Sequence, residues 1–298
     1  MTEPADGEKI NAASTADELY DCYLRKTSKF PHVWCSGCGI GIVLGSLIRS
    51  IEHIGLKKDD VLVVSGIGCS SRLPGYVDFN TLHTTHGRAL AFGTGAKFGR
   101  PALNVIAVMG DGDALAIGGN HFIHSCRRNI DITAVVINNF NYGMTGGQNS
   151  PTTPEGSILT TAPYGNIENP FDTCDLALGS GATFVARSTV YHVAELKEYI
   201  TLGIRNPGFS VVEVYAPCYT GYGRRNEAKT PTGMIAQLGK DAVPFKKTLL
   251  NRRKPPGSLE GGKFHIGIFR DERKNEFCNS YAELVKKRKK DMENPISS

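Results

Sequence analysis

Asn104-Val-Ile-Ala-Val-Met109, followed by Gly110-Asp111-Gly112-Asp113, is the stretch whose reading decides the fold. An unbroken apolar run of this length reads as a strand buried on both faces. The Gly-Asp-Gly at its end places a carboxylate at the carboxyl edge of a sheet, the edge where open α/β sheets bind ligands. Ala114 to Asn129 reads as a crossover helix. Ile132-Thr-Ala-Val-Val-Ile137 reads as the next strand, ending on Asn138-Asn139. Two adjacent strand ends therefore deliver a carboxylate and a carboxamide to one place, just ahead of the glycine-rich Tyr142-Gly143-Met144-Thr145-Gly146-Gly147.

Hard oxygen donors of this kind, with room left for water and a diphosphate, suit magnesium. The glycines let backbone approach phosphate oxygens closely, as nests and helix N-termini do. A single Gly-Asp-Gly would usually be an ordinary strand-turn-helix, but here an Asn-Asn follows after 25 intervening residues.

Outward from this unit, helices and strands alternate. Ser14-Thr-Ala-Asp-Glu18 opens a helix through about Lys26, with Ser14 or Thr15 as N-cap. After Cys35-Ser36-Gly37-Cys38-Gly39 comes a helix with Ile42, Leu44, Leu47, Ile48 and Ile51 on its apolar side. Asp60-Val-Leu-Val-Val-Ser65 is a buried strand leading into Gly66-Ile67-Gly68-Cys69-Ser70. His83-Thr-Thr-His86-Gly87-Arg88 opens a helix rich in small residues. Residues 150–170 form a proline- and threonine-rich loop long enough to be a functional lid. A weak helix from Phe171 to Gly181, a strand at Thr183–Ala186, a helix from His192 to Arg205 and a strand at Phe209–Tyr215 complete the series. The alternation predicts a doubly wound, mostly parallel α/β sheet. Three divisions are expected: an N-terminal extension (1–29), a ligand-binding domain (30–223) and a basic C-terminal tail (224–298). That tail reads as irregular apart from a helix at Ser280–Lys290.

The chain has 298 residues, 40% of them hydrophobic, enough for a full core. No run approaches a membrane span and the polar start is no signal peptide, so the expected compartment is the cytoplasm. Charge is uneven. Residues 1–223 carry 16 Lys and Arg against 20 Asp and Glu, while residues 224–298 carry 18 against 9. A basic tail on an acidic body argues for a docking surface and against nucleic-acid binding.

Eight cysteines in an intracellular chain point to metal or redox chemistry before disulfides. Cys35 and Cys38 form a C-x2-C knuckle, and Cys69 and Cys218 each follow a predicted strand. In a doubly wound sheet those ends share the edge that carries Asp111. Four converging sulfurs favour zinc or an iron–sulfur cluster.

Taken in order, Cys-Ser-Gly-Cys-Gly, Gly-Ile-Gly-Cys-Ser, His-Gly-Arg-Ala, Gly-Asp-Gly-Asp-Ala, Met-Thr-Gly-Gly-Gln and Pro-Cys closely resemble the β subunit of 2-oxoacid:ferredoxin oxidoreductases across residues 30–220. These are thiamine diphosphate enzymes, and the 2-oxoglutarate type is the most similar. The resemblance implies one 4Fe–4S cluster on Cys35, Cys38, Cys69 and Cys218. It implies magnesium on the side chains of Asp111 and Asn139 and the backbone carbonyl of Asn141. Ile67, Gly68, Cys69, Ser70, His86, Gly110, Gly112, Asp113, Gly143 and Met144 fall where the family contacts the cofactor. Cys22, Cys126, Cys174 and Cys278 have no counterpart there and are expected as packing residues. His86 and Arg72 are the candidates for a direct catalytic or substrate-selecting role, Arg72 through a bidentate pair with a distal carboxylate.

The family holds the aminopyrimidine ring in a second domain, for which this chain has no room. An α subunit is therefore implied, together with coenzyme A, a 2-oxo acid and ferredoxin. The implied reaction is oxidative decarboxylation of 2-oxoglutarate to succinyl-CoA and CO₂. Pyruvate or a broader range of 2-oxo acids is the alternative substrate, and a non-redox thiamine diphosphate lyase the more distant reading.

Overall fold

The computed structural model describes residues 15–25, 31–245 and 262–293. Helix α1 (Ala16–Tyr23) starts at a capping box. The Thr15 hydroxyl accepts from Glu18 N–H at 3.3 Å, and the Glu18 carboxylate accepts from Thr15 N–H at 2.7 Å. Helix α2 (Ile40–Ile54) buries Val43, Leu47, Ile48 and Ile51 along one stripe. The chain continues through β1 (Val61–Ser65), β2 (Asn80–His83), α3 (Ala89–Gly99), β3 (Asn104–Gly110), α4 (Gly119–Arg128) and β4 (Ile132–Asn138). A small hairpin, β5 (Asn141–Tyr142) with β6 (Gln148–Asn149), precedes the long loop. Then come α5 (Thr173–Ser180), β7 (Phe184–Thr189), α6 (Val193–Arg205) and β8 (Ser210–Tyr215). Last are α7 (Pro231–Asp241), β9 (Ala242–Pro244), β10 (Phe264–Asp271) and α8 (Phe277–Glu293).

Eight strands form one sheet in the order β2-β1-β3-β4-β8-β7-β10-β9. The first six are mutually parallel, and β10 lies antiparallel beside β7. Side chains alternate across the sheet and so build two cores. On one face Val61, Val63, Ile106, Val108, Val135 and Ile137 pack under α2 and α6. On the other Leu62, Val64, Val105, Ala107, Ala134 and Val136 pack under α3, α4 and α5. This is the doubly wound sheet that the alternating pattern predicts. Among the described residues no helix is long and apolar enough to cross a membrane.

Four differences have physical causes. The helix expected over 114–129 is broken: a widened π-type turn covers Gly112–Ala116 and α4 starts at Gly119. At Gly118 a Cβ would lie 2.3 Å from the Asp113 carbonyl oxygen and 3.2 Å from Gly87 Cα, so another loop presses into the break. The edge strand β2, Asn-Thr-Leu-His, is too short and polar to show in an apolar pattern. Strand β7 runs on to Thr189 through a fully buried Arg187, which ion-pairs with Glu213 and Asp172. The described residues of 224–298 are not irregular: β9 and β10 extend the sheet, and the helix expected at 280–290 lies inside α8. Much of the expected N-terminal extension, residues 1–14 and 26–29, lies outside the described residues, as do 246–261 and 294–298.

Candidate functional site at the carboxyl edge

Because β1, β3, β4 and β8 run parallel, the loops after Ser65, Gly110, Asn138 and Tyr215 open on one edge. The first three of these loops line a cavity of about 120 Å³. Its wall contains Ile67, Gly68, Cys69 and Ser70 after β1, and His86 ahead of α3. Gly110, Asp111, Gly112 and Asp113 come from the end of β3, and Asn139, Asn141, Gly143 and Met144 from the β4 side. All the residues that the resemblance assigns to cofactor and magnesium are therefore gathered around one space.

Two buried carboxylates shape it differently. Asp113 Oδ1 accepts backbone N–H groups from Gly87 at 2.6 Å and Ile67 at 3.3 Å, and His86 Nδ1 lies 2.7 Å away. One oxygen thus ties the loop after β1 to the loop before α3. This needs Gly66, where a Cβ would come within 2.2 Å of Asp113 Oδ2. That Oδ2 is buried with no hydrogen-bond partner. Asp111 Oδ2 accepts from Ser150 Oγ at 2.6 Å and Thr152 Oγ1 at 2.7 Å. Burial still pushes its carboxyl up to about 6, against the opposing pull of those two hydroxyls. Tyr142, whose ring lies where a Gly112 Cβ would be, has its phenol raised by burial and then by the charges of Asp111 and Asp113.

The turn after β4 carries the amides. Asn138 Oδ1 accepts from Phe140 N–H at 3.1 Å, and Phe140 has a φ of 61°, a left-handed conformation uncommon for an aromatic residue. Both side-chain polar atoms of Asn141 are buried without a partner. No lysine or arginine lines the cavity among the described residues. Two buried carboxylates and the unpaired amide of Asn141, with His86 as the one basic group in the wall, make an oxygen-rich site that suits a hard divalent cation.

Beside the cavity, Cys35, Cys38, Cys69 and Cys218 converge. Burial pushes the Cys69 thiol up to about 11, and Cys218, Cys38 and Cys35 all lie close enough to add repulsion between thiolates. No three of these sulfurs gather within 4.8 Å of one another. Tetrahedral zinc, with Zn–S near 2.3 Å, needs sulfurs about 3.8 Å apart. The knuckle is braced: Trp34 Nε1 donates to the Cys69 carbonyl at 2.7 Å, and Trp34 packs between His32 and Tyr76. At Gly37, in a left-handed turn, a Cβ would lie 2.5 Å from Pro231 Cβ at the start of α7. Of the other cysteines, Cys126, Cys174 and Cys278 are buried, whereas Cys22 is exposed and does not pack.

Arg72 is exposed and not part of the cavity wall. Ser150 and Thr152 were not singled out by sequence reasoning. The loop that carries them reads as a lid, yet its first residues are the hydroxyl clamp on Asp111. Only the run of small hydroxyl residues Ser150, Thr152 and Thr153 hints at that role.

Comparison with known proteins matches this geometry. The profile of the thiamine pyrophosphate enzyme C-terminal TPP-binding domain covers residues 66–214, from the loop after β1 to the end of β8. Fold and site thus define a thiamine-pyrophosphate-binding domain. The chain is 49% identical to the 2-oxoglutarate synthase subunit KorB of Methanocaldococcus jannaschii, over 90% of this chain and 97% of the relative. It is also 49% identical to the KorB subunit of Archaeoglobus fulgidus, over 89% of this chain and 94% of the relative. A solved 2-oxoglutarate:ferredoxin oxidoreductase from Magnetococcus marinus, with 2-oxoglutarate, coenzyme A and succinyl-CoA bound, superposes with a TM-score of 0.78 at 30% identity, covering 90% of each chain. The chain belongs to the KorB family of 2-oxoglutarate synthase subunits.

Proposed function

We propose that this chain is the β subunit of a 2-oxoglutarate:ferredoxin oxidoreductase. Its part is to hold the diphosphate end of thiamine diphosphate and the first electron acceptor, while an α subunit supplies the rest of the active site. The observation that carries this reading is the cavity with two buried carboxylates and no lysine or arginine, opening beside four convergent cysteines. A diphosphate enters such a space only with a divalent cation to offset the carboxylates. Asp111, Asn139 and the backbone carbonyl of Asn141 are the ligands for magnesium, and the glycine-rich loops leave room for phosphate oxygens. Bound thiamine diphosphate supplies the electron sink for decarboxylation, and a 4Fe–4S cluster on Cys35, Cys38, Cys69 and Cys218 supplies a one-electron route to ferredoxin.

The chain's own groups do the positioning. Asp113 locks two loops against each other before any ligand arrives. Ser150 and Thr152 fix the carboxylate of Asp111. Cys69 lies in the loop that lines the cavity, which keeps the electron route short. A cavity of 120 Å³ falls short of the roughly 300–1,000 Å³ of a complete small-molecule site. That shortfall supports a second subunit enclosing the remainder of the cofactor, the 2-oxo acid and coenzyme A.

The test is anaerobic purification with the α subunit, followed by metal analysis and assay of 2-oxoglutarate and pyruvate with coenzyme A and a viologen. Iron and acid-labile sulfide are expected, with turnover strongest on 2-oxoglutarate. Cys69→Ala should lose the cluster and electron transfer while still binding thiamine diphosphate. One zinc and no iron in active enzyme would overturn the cluster assignment.

A further inference from the structure

Arg187 and Glu213 face each other in the register between β7 and β8, and neither side chain is exposed. Arg187 Nε donates to Glu213 Oε2 at 2.5 Å, and a second guanidinium nitrogen donates to Asp172 Oδ2 at 2.6 Å. The guanidinium also lies over the rings of Tyr215 and Phe269. Asp172, Cys174 and Glu213 bring three ligand-type atoms within 4.8 Å of one another, but Arg187 already supplies the positive charge a metal would bring. The reaction assigned above uses none of these groups.

One contact leads out of this cluster toward the cavity. Glu213 Oε1 accepts from Asn138 Nδ2 at 2.9 Å. A carboxylate held by a guanidinium can only accept, so it fixes the donor end of the Asn138 amide inward. The acceptor end, Oδ1, is thereby turned outward to Phe140 N–H at 3.1 Å, with the Thr152 hydroxyl at 2.9 Å. Those contacts hold Phe140 at its left-handed φ of 61°. Thr153 Oγ1 grips the same residue from the other side, donating to the Phe140 carbonyl at 2.7 Å. Residues 139 and 141, on either side of Phe140, are the two positions assigned to the cation beside Asp111, one through its side chain and the other through its backbone carbonyl.

We propose that Glu213 is a positioning residue for that site: by orienting Asn138 it sets the turn that presents Asn139 and the Asn141 carbonyl. Arg187 holds the Glu213 carboxylate in place through its Nε contact. The proposal rests on the functional reading above, because it concerns the ligands assigned there. Partners one step behind metal ligands typically change metal affinity by about 10–100-fold when removed.

Glu213→Gln is the direct test. Its single amide oxygen cannot serve both Arg187 and Asn138. The charged guanidinium takes it, so an NH₂ group is left against Asn138 Nδ2 and the asparagine amide turns over. Asn138→Ala removes the link without altering the ion pair, and so decides the matter if Glu213→Gln does not fold. Ile200→Val, on the buried face of α6, controls for a general loss of stability. The readout is calorimetric titration of thiamine diphosphate into the assembled α–β enzyme, freed of cofactor, at a series of magnesium concentrations. Both site variants should need about tenfold more magnesium, or beyond, for half-maximal binding, with Ile200→Val unchanged. An unchanged magnesium requirement in Asn138→Ala, or an equal rise in Ile200→Val, overturns the proposal. Wild-type enzyme that takes up no thiamine diphosphate overturns the functional reading and this proposal with it. Normal wild-type binding beside variants that bind equally well overturns this proposal alone.

Discussion

Among the described residues, two places set a pair of carboxylates wholly or largely out of water, and they solve the problem in opposite ways. Asp172 and Glu213 share a guanidinium, since Arg187 lies within hydrogen-bond distance of both. Asp111 and Asp113 have no basic side chain in their cavity wall other than His86, and burial pushes Asp111 up to about 6. A buried charge must be paired, neutralised or bound to a metal. The first pair is closed within the chain, whereas the second is left open, and in the proposed function a magnesium ion supplies its counter-charge. A carboxylate's partner, more than its burial, separates scaffold from site.

The contrast can be broken by experiment, and the largest effect should fall on the closed pair. Arg187→Met leaves two carboxylates without their cation and should destabilise the chain by about 3–5 kcal/mol in urea unfolding. A loss under 1 kcal/mol would mean that the cluster does not depend on its guanidinium. At the open pair the sign should reverse. Asp111→Asn removes a costly buried charge, so the cofactor-free chain should hold or gain stability. Thiamine diphosphate affinity at fixed magnesium should meanwhile fall by about 100-fold or more, since the charged ligand is gone. Full cofactor affinity in that variant at low magnesium would show the motif to be misread.

Asp175 sharpens the comparison because it lies at the limit of Arg187's reach. Its Oδ1 is buried without a partner, and burial, then the charge of Asp172, raises its carboxyl to about 7. The folded value is above the unfolded one, so the stabilising form is the protonated one. Its contribution is complete below about pH 4 and is lost as the pH rises through about 7. Asp175→Asn should therefore match wild type at pH 4 and be more stable at pH 8. After discounting for the solvent that this half-buried group retains, the gain is about 1 kcal/mol, or roughly 2–4 °C in melting temperature. Equal melting temperatures at pH 8 would place Asp175 among ordinary surface carboxylates.

These same features explain what the sequence could and could not reveal. The central strands were legible because they are short apolar runs, and the ends that line the cavity because Gly-Asp-Gly and Asn-Asn need only local backbone to present them. Strand β7 was cut short at Ala186 because Arg187 reads as polar. Its partners lie 15 and 26 residues away, and nothing local announces that they neutralise it. Strand β10 was missed for a related reason. Its Phe-His-Ile-Gly-Ile-Phe-Arg-Asp run mixes charged and apolar residues, has a register shift near Ile268 and follows a basic stretch. The hydroxyl clamp on Asp111 was hidden because Ser150 and Thr152 stand about 40 positions from the carboxylate they hold. Residues that act on their neighbours were readable, and residues that act on distant partners were not.

The packing of Gly37 against Pro231 has a consequence for the order of events at the ribosome. The loop with Cys35 and Cys38 emerges first, and the α7 residue that buttresses it and Cys218 follow only some 180–195 residues later. At ~5–20 residues per second, that interval lasts roughly 10–40 s. Throughout it the early thiols are present without the surface that shapes them. If the proposed cluster is held there, its loading must wait until residue 218 has emerged, and a nascent chain arrested before it should carry thiols but no finished site.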